Sequence, residues 1–255
     1  MPLPNGGYIS GQGKIYTAIV DANGNPLDFV FRGNVPSFEL GANVTTVEHH
    51  ESTSGFRLVD LRLKTAQNVT IKMNVQEFTK ENNAFLLNSN VVTQAAGSVT
   101  GEQIAGGAAL VAGKTYGLKN YNVSSLVLTD SAATPATLAV GTNYTAFPDV
   151  GLIQVIDPGT FVAPIKAAYT KATGQNQTGI MDAGQPRTWI KALLVNTAQK
   201  NANGSFKRFA LELPNVQFDP AATFAFINDG VADHELNGSV LPGDDGRIGW
   251  ITYID

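Results

Sequence analysis

The residues Val69–Gln76 alternate between apolar and polar side chains without a break. Because successive residues of a β-strand point to opposite faces of the sheet, this segment places Val69, Ile71, Met73 and Val75 on one face. The other face is polar. Such a period of two is incompatible with a helix, so the segment predicts a strand with one buried face and one wet face.

A partner strand is predicted immediately upstream. Leu61 and Leu63 alternate with basic residues after a Ser54-Gly55 turn, which is the pattern of a strand in the same sheet. We expect the two strands to pair as a long hairpin that reverses direction through Thr65–Asn68.

The C-terminal part of the chain repeats this alternation. The runs Trp189–Val195 and Phe206–Leu213 flank an Asn203-Gly204 pair, and Asn-Gly between two alternating runs is a strong hairpin signal. Further strands are predicted at Thr223–Ile227 and Ile248–Ile254.

One short helix and one inserted domain are predicted between these β-rich parts. Thr79 is a suitable helix N-cap, Glu81 falls in the first turn and residues 84–87 are apolar. Between residues 91 and 175 the composition shifts to Ala, Gly, Ser and Thr, with short strands punctuated by prolines. We therefore expect a discontinuous domain formed by residues 1–90 and 176–255, interrupted by a small inserted β domain of residues 91–175.

Composition and charge exclude several functions. The chain has no cysteine, which removes disulfides, thiolate nucleophiles and cysteine-type zinc sites. Its net charge is −4, and the segment from Asp219 to Asp255 contains seven acidic residues against Arg247 alone. A protein that binds nucleic acid needs clustered Lys and Arg side chains instead. Neither a secretion signal nor an apolar run long enough for a membrane span is evident, so we expect a soluble protein made in the cytoplasm.

No segment predicts catalysis. Glu48-His49-His50-Glu51 has suitable chemistry for a metal site, but adjacent strand residues point to opposite faces and do not converge. His234-Glu235 lies in an acidic, turn-rich stretch without a nucleophile motif. Asp244-Asp245-Gly246 has too few oxygen ligands for a calcium loop, and Gly11–Lys14 lacks the spacing of a phosphate-binding loop. We expect no enzyme activity, no cofactor and no metal.

Three segments together resemble a known family. They are Gly33–Leu40, Glu48–Arg57 and Gln76–Asn82, in which an acidic loop with Ser and Gly precedes a strand hairpin that leads into a short helix. This layout resembles the bacteriophage major tail tube proteins, which are related to the inner-tube proteins of contractile injection machines. The middle region is similar to inserts in that family, through Leu138–Tyr144 and the Gly151–Ile153 segment that follows it.

The resemblance implies a fold and a function. The fold would be mainly β: a tail-tube-type β-sandwich or barrel-forming subunit with one short α-helix and an inserted small β domain. Six copies would join their sheets into a ring, and the rings would stack into the tail tube through which DNA is ejected. The partners would be further copies of the chain and other tail proteins, while DNA would pass without specific binding and no membrane would be involved. The protein would reside in the virion tail, after assembly in the host cytoplasm.

The resemblance also suggests candidate assembly residues. The segment Gly41–Arg57 is predicted to be a long polar loop that reaches a neighbouring ring, although a plain mobile surface loop would look the same. The ring-stacking candidates in it are Glu48, His49, His50, Glu51 and Arg57. The candidates for the lumen wall are Lys72, Asn74 and Gln76, which equally suit a solvent-facing surface. Lys72 would need an acidic partner in a channel for DNA.

Other interpretations remain open at this stage. Another tube-forming or tail-end component is the nearest rival. A carbohydrate-binding or adhesin module built on a β-sandwich would instead stay monomeric and expose a patch of aromatic residues. Trp189 lies inside an alternating run and is expected in the core, whereas the position of Trp250 is undetermined. An all-β hydrolase is disfavoured because no catalytic constellation is present.

Overall fold

The computed structural model describes residues 8–53, 55–172, 175–181, 184, 186–243 and 245–254. Strands make up 52% of the chain and helices 6%, which confirms the mainly β fold with one short α-helix. The strands of the first part are β1 (Gly11–Ile19), β2 (Val30–Phe31), β3 (Phe38–His50) and β4 (Val59–Val75), followed by the helix α1 (Lys80–Leu86). The middle strands are β5 (Val91–Gln94), β6 (Gly97–Gln103), β7 (Thr115–Gly117), β8 (Val123–Thr129), β9 (Thr137–Leu138), β10 (Tyr144–Phe147), β11 (Leu152–Val155), β12 (Lys166–Lys171) and β13 (Gln175–Thr178). The last strands are β14 (Arg187–Lys200), β15 (Phe206–Phe218), β16 (His234–Val240) and β17 (Trp250–Ile254).

The chain divides into two compact units, Met1–Val91 with Thr178–Asp255 and Val92–Gln177. The first unit contains one large sheet in the order β2-β1-β14-β15-β16-β4-β3, with β17 also paired to β15. Its pairings are antiparallel. The β14–β15 hairpin turns through Asn201–Ser205, where Gly204 adopts a φ of 84°, so the predicted Asn-Gly turn is confirmed.

The core of the first unit is built from the alternating runs. The inward residues of β4, namely Ile71, Met73 and Val75, are buried, as the sequence predicts. They join Ile190, Leu213, Leu236 and others in one cluster. The helix α1 contributes Leu86 to this cluster, and Thr79 caps the helix by accepting a hydrogen bond from the Asn82 backbone N–H at 3.1 Å.

A buried polar network ties α1 to the sheet. The Arg32 guanidinium is buried and donates to Thr17 Oγ1 at 2.7 Å and to Asn82 Oδ1 at 3.1 Å, and it stacks over the Phe85 ring at 4.1 Å. Burial lowers the pKa of Arg32 to about 10. The Asn82 side-chain amide in turn donates two hydrogen bonds, to the backbone carbonyls of Arg32 and Glu77. The helix therefore depends on polar contacts as well as on apolar packing.

The second unit has its own core and three small sheets. These are β10-β11-β7, β6-β12-β8-β9 and the pair β13-β5. Tyr144, Leu128, Ile153 and Ile165 are among its fully buried side chains. Asp130 is buried and holds a loop closed, because its carboxylate accepts hydrogen bonds from the backbone N–H groups of Ala136, Val162 and Ala132.

The predicted hairpin through Thr65–Asn68 is wrong. Strand β4 runs unbroken from Val59 to Val75, and its partner is β3 rather than another part of itself. The segment Thr65–Asn68 lacks the Gly or Pro that a tight turn uses, and Thr65 only marks a bulge opposite Thr45 and Thr46. The chain turns instead between β3 and β4, where Gly55 and Arg57 adopt positive φ.

The predicted loop Gly41–Arg57 is also largely wrong, because residues 41–50 belong to β3. The β-branched run Val44-Thr45-Thr46-Val47 favours a strand despite its polar surroundings. Only residues 51–58 form the connection, and of these Ser54 lies outside the described residues.

The last strands were misplaced as well. Thr223–Ile227 is not a strand, whereas His234–Val240 is one, with His234, Leu236, Gly238 and Val240 pointing inward. The alternation was hidden because a His and a Gly occupy inward positions. A Cβ at Gly238 would meet a backbone carbonyl of β15 at 2.4 Å, so glycine allows the two strands to approach.

The predicted strand Ile248–Ile254 is present from Trp250 onward. Asp244 of the predicted Asp-Asp-Gly turn lies outside the described residues.

Candidate functional site

The first unit extends a two-stranded β arm, which we define as Ala42–His50 of β3, Val59–Asn68 of β4 and the connection between them. Every described strand residue of this arm is exposed except Thr46, which is half-buried. Phe56 and Leu58 in the connection are 82% and 60% exposed. The arm therefore has neither face packed against a core within the described residues.

The two faces of the arm differ in chemistry. Residues that lie opposite each other on neighbouring strands share a face, and Val47 pairs with Leu63 while His49 pairs with Leu61. Val47, Leu61 and Leu63 are each about half exposed. The other face carries Glu48 opposite Arg62 and Thr46 opposite Lys64. In the distal half of the arm the face with Val47, Leu61 and Leu63 is therefore the more apolar one, and we call this solvent-exposed surface the apolar face.

Hydrogen bonds and ion pairs order the charged residues of the arm. Glu48 Oε1 lies 3.4 Å from Arg62 Nε, and His49 Nδ1 lies 2.7 Å from Asp60 Oδ1. The hydrogen bond with His49 lowers the pKa of Asp60 below its ordinary value. These pairs are exposed and therefore stabilise the arm only weakly.

The predicted ring-stacking residues gather in the distal half of the arm. Glu48, His49 and His50 end strand β3. The Glu51 carboxylate accepts hydrogen bonds from the backbone N–H and the hydroxyl of Thr53. The Arg57 carbonyl accepts from His50 Nδ1 at 3.0 Å. All five candidates are exposed or half-buried in one contiguous region, but Glu48 and His49 point to opposite faces of the ribbon.

Of the predicted lumen residues, Lys72 and Asn74 share the outer face of β4, opposite its buried face, and Gln76 directly follows the strand. Lys72 Nζ lies 2.7 Å from Glu235 Oε2 on β16, and this contact raises the pKa of Lys72 and lowers that of Glu235. Asn74 donates to Asp233 at 2.8 Å. Gln76 accepts from the Asn34 amide. This face is polar, and its one lysine has an acidic partner.

The first unit has open strand edges. Among the described residues, β2 and β3 are the two end strands of the large sheet, and β17 pairs only with β15. Trp250, Ile251 and Tyr253 of β17 are exposed. Open edges present unpaired N–H and C=O groups, which pair readily with another strand.

Residues 8–247 match the model of a protein family described as "Protein of unknown function UCP028589". The chain belongs to this family. No curated protein matches the chain.

Two findings bear on other functions of this member of the UCP028589 family. Among the described residues, no group of three or more His, Asp or Glu side chains is arranged to hold a metal ion. In the same part of the chain, no helix is both long and apolar enough to cross a membrane.

Sequence reasoning missed two features of the UCP028589 chain. The first is the arm, which the β-branched run in β3 signals. The second is His234, which the sequence assigns to a turn but the structure buries in β16, stacked on Phe224 at 4.3 Å. Trp189 is partly buried rather than in the core, and its indole N–H donates to Glu212 at 2.9 Å.

Proposed function

We propose that this chain is a structural subunit that assembles into six-membered rings, which stack into the tail tube of a bacteriophage and conduct DNA during ejection. The observation that carries the proposal is the β arm, whose apolar face is uncovered. The open edges of β3 and β17 support it further.

An isolated two-stranded ribbon is marginally stable in water. The apolar face of the arm leaves Val47, Leu61 and Leu63 about half exposed, and burying the remainder would contribute about 1 kcal/mol for each residue. If a second copy of the chain covers the apolar face of the arm, assembly buries this face in every subunit at once. Assembly also covers the open strand edges, which would otherwise invite irregular aggregation.

The charges are compatible with a conduit for DNA. A wall rich in unpaired Lys and Arg would bind phosphates and hinder passage. We assign the outer face of β4 to the lumen, with Lys72 and Asn74 on it and Gln76 directly after it, and the Lys72–Glu235 pair at 2.7 Å keeps that face near neutrality. The ring-stacking role falls to Glu48, His49, His50, Glu51 and Arg57 in the distal arm. Other tail proteins would contact the ends of the tube, and the protein would be found in the virion tail after assembly in the host cytoplasm.

The proposal is tested by electron microscopy and sedimentation velocity of the purified chain at increasing concentration. Wild type is expected to form uniform hollow rods or six-fold rings. Leu63→Glu, which places a charge on the apolar face of the arm, is expected to prevent them. Lys64→Gln changes the net charge by the same amount on the opposite face and is expected to assemble normally.

A chain that stays monomeric at all concentrations would contradict the proposal. If that monomer bound glycans, the carbohydrate-binding β-sandwich module would take its place.

A further inference from the structure

Among the described residues, a second exposed apolar surface lies on β15 and β17. It is a cavity of about 450 Å³, lined by Ile9, Asn196, Gln199, Lys207, Arg208, Phe209, Ile251 and Tyr253. We call it the groove. Ile251 pairs with the buried Leu211, and Tyr253 pairs with Phe209, so the groove continues the core-side face of the sheet beyond the point where the core ends. Tyr253 is nevertheless 79% exposed.

Among the residues that the structure describes, the charged residues that line the groove are Lys207 and Arg208, and none is acidic. Lys207 lies two residues before Phe209 on the same strand and therefore shares its face. An occupant with apolar side chains and a carboxylate would match this surface.

The connection between β15 and β16 has the complementary chemistry. We call residues 222–233 the acidic loop. It contains Asp229 and Asp233 and no basic residue. Its apolar side chains Phe226, Ile227 and Val231 point to solvent, with Ile227 97% exposed.

The base of the acidic loop is anchored. Phe224 stacks on the buried His234 with ring centroids 4.3 Å apart, and Phe226 lies 4.8 Å from Phe224. The exposed residues that follow are therefore presented from a fixed point on the sheet, which lowers the entropy cost of binding through them.

We propose that the acidic loop of one copy occupies the groove of the next copy, with Ile227 against Phe209 and Tyr253 and with Asp229 facing Lys207. This inference rests on the proposed self-assembly and names one of its contacts. Because the two surfaces are different parts of the same chain, the contact is heterologous, and it propagates into a ring or a filament. The arm is the weaker candidate for the groove, because its three acidic residues are balanced by three basic ones.

The test is a charge exchange. Lys207→Glu and Asp229→Lys, made separately, are each expected to raise the concentration needed for assembly at least about tenfold, because each places like charges in contact. In an equimolar mixture of these two variants each loop meets an opposite charge in the groove of the other variant, so the mixture is expected to form rods that neither variant forms alone. Combining both substitutions in one chain restores an opposite-charge pair and is expected to restore rods.

The matched controls are Lys14→Glu, on the other face of the sheet, and Asp149→Lys, in the second unit. Both are expected to assemble like wild type.

The possible results separate this inference from the proposed function. If wild type forms rods and both single variants assemble equally well, the contact is wrong and the tube proposal stands. If Lys207→Glu and Leu63→Glu block rods but Asp229→Lys does not, the arm occupies the groove and the inference is overturned. If wild type never forms rods, the tube proposal fails, and the contact is rejected as well if neither wild type nor the mixture sediments as anything larger than a monomer. Thermal unfolding of each variant identifies any that lose assembly through misfolding.

Discussion

Replacing His234 by phenylalanine should stabilise the first unit. His234 is 1% exposed, and neither of its ring nitrogens has a hydrogen-bond partner among the described residues. A buried polar group without a partner costs about 1–3 kcal/mol. The flat stack on Phe224, with an interplanar angle of 10°, is available to a phenyl ring as well.

The expected gain follows from these terms. Removing one unpaired donor and one unpaired acceptor recovers about 2–4 kcal/mol, and the larger six-membered ring costs about 1 kcal/mol in overpacking. We therefore expect the free energy of unfolding to rise by about 2 kcal/mol in His234→Phe. For a unit of this size that corresponds to an increase in Tm of roughly 4–8 °C.

Urea unfolding followed by fluorescence and calorimetry measures this change. His234→Gln keeps a buried polar group and loses the ring, so it should be destabilised. If His234→Phe were equal to or less stable than wild type while keeping the same m-value, the imidazole would be satisfied in solution and the reasoning refuted.

Three further predictions concern other parts of the fold. Asn82→Ala should lower the free energy of unfolding by about 3 kcal/mol in urea titrations, because it removes hydrogen bonds to the buried Arg32 and to two carbonyls. The hydrogen bond from the Ala136 backbone N–H lowers the pKa of Asp130 below its ordinary 3.8, so the carboxylate stabilises the second unit above that pH, and this stabilisation is lost as the pH falls through the lower folded value. Asp130→Asn should therefore differ most from wild type above pH 4, with the difference shrinking in more acidic urea titrations. Gly238→Ala should destabilise the β15–β16 pair by at least about 2 kcal/mol, since its Cβ would lie 2.4 Å from a carbonyl oxygen; an unchanged midpoint of unfolding would contradict that close approach.

The outcome for individual segments shows where sequence reasoning succeeds. Val69–Gln76 and the runs around Asn203-Gly204 were assigned correctly, because an unbroken period of two and a specific turn dipeptide are local signals. The cap at Thr79 is local for the same reason. The strand at His234–Val240 was missed because two of its inward positions hold a histidine and a glycine. The burial of these two residues becomes evident only once the neighbouring strands are in place.

The candidate site was predicted in part. The sequence drew attention to Glu48–Glu51 and Arg57, and these residues lie together in the distal arm. It did not reveal that they sit on a ribbon, since a mixed stretch of Thr, Asn and charged residues suits a loop and an exposed strand equally well. The groove was not predictable, because its residues come from distant parts of the chain.

By itself the sequence determined the secondary-structure class, the main core strands and the helix start, since each depends on neighbours within a few residues. Only the tertiary structure decided which strands pair, which edges stay open and which apolar side chains remain uncovered. Those properties depend on contacts between residues far apart in the chain, such as Tyr253 with Phe209 or Lys72 with Glu235, and no local pattern encodes them.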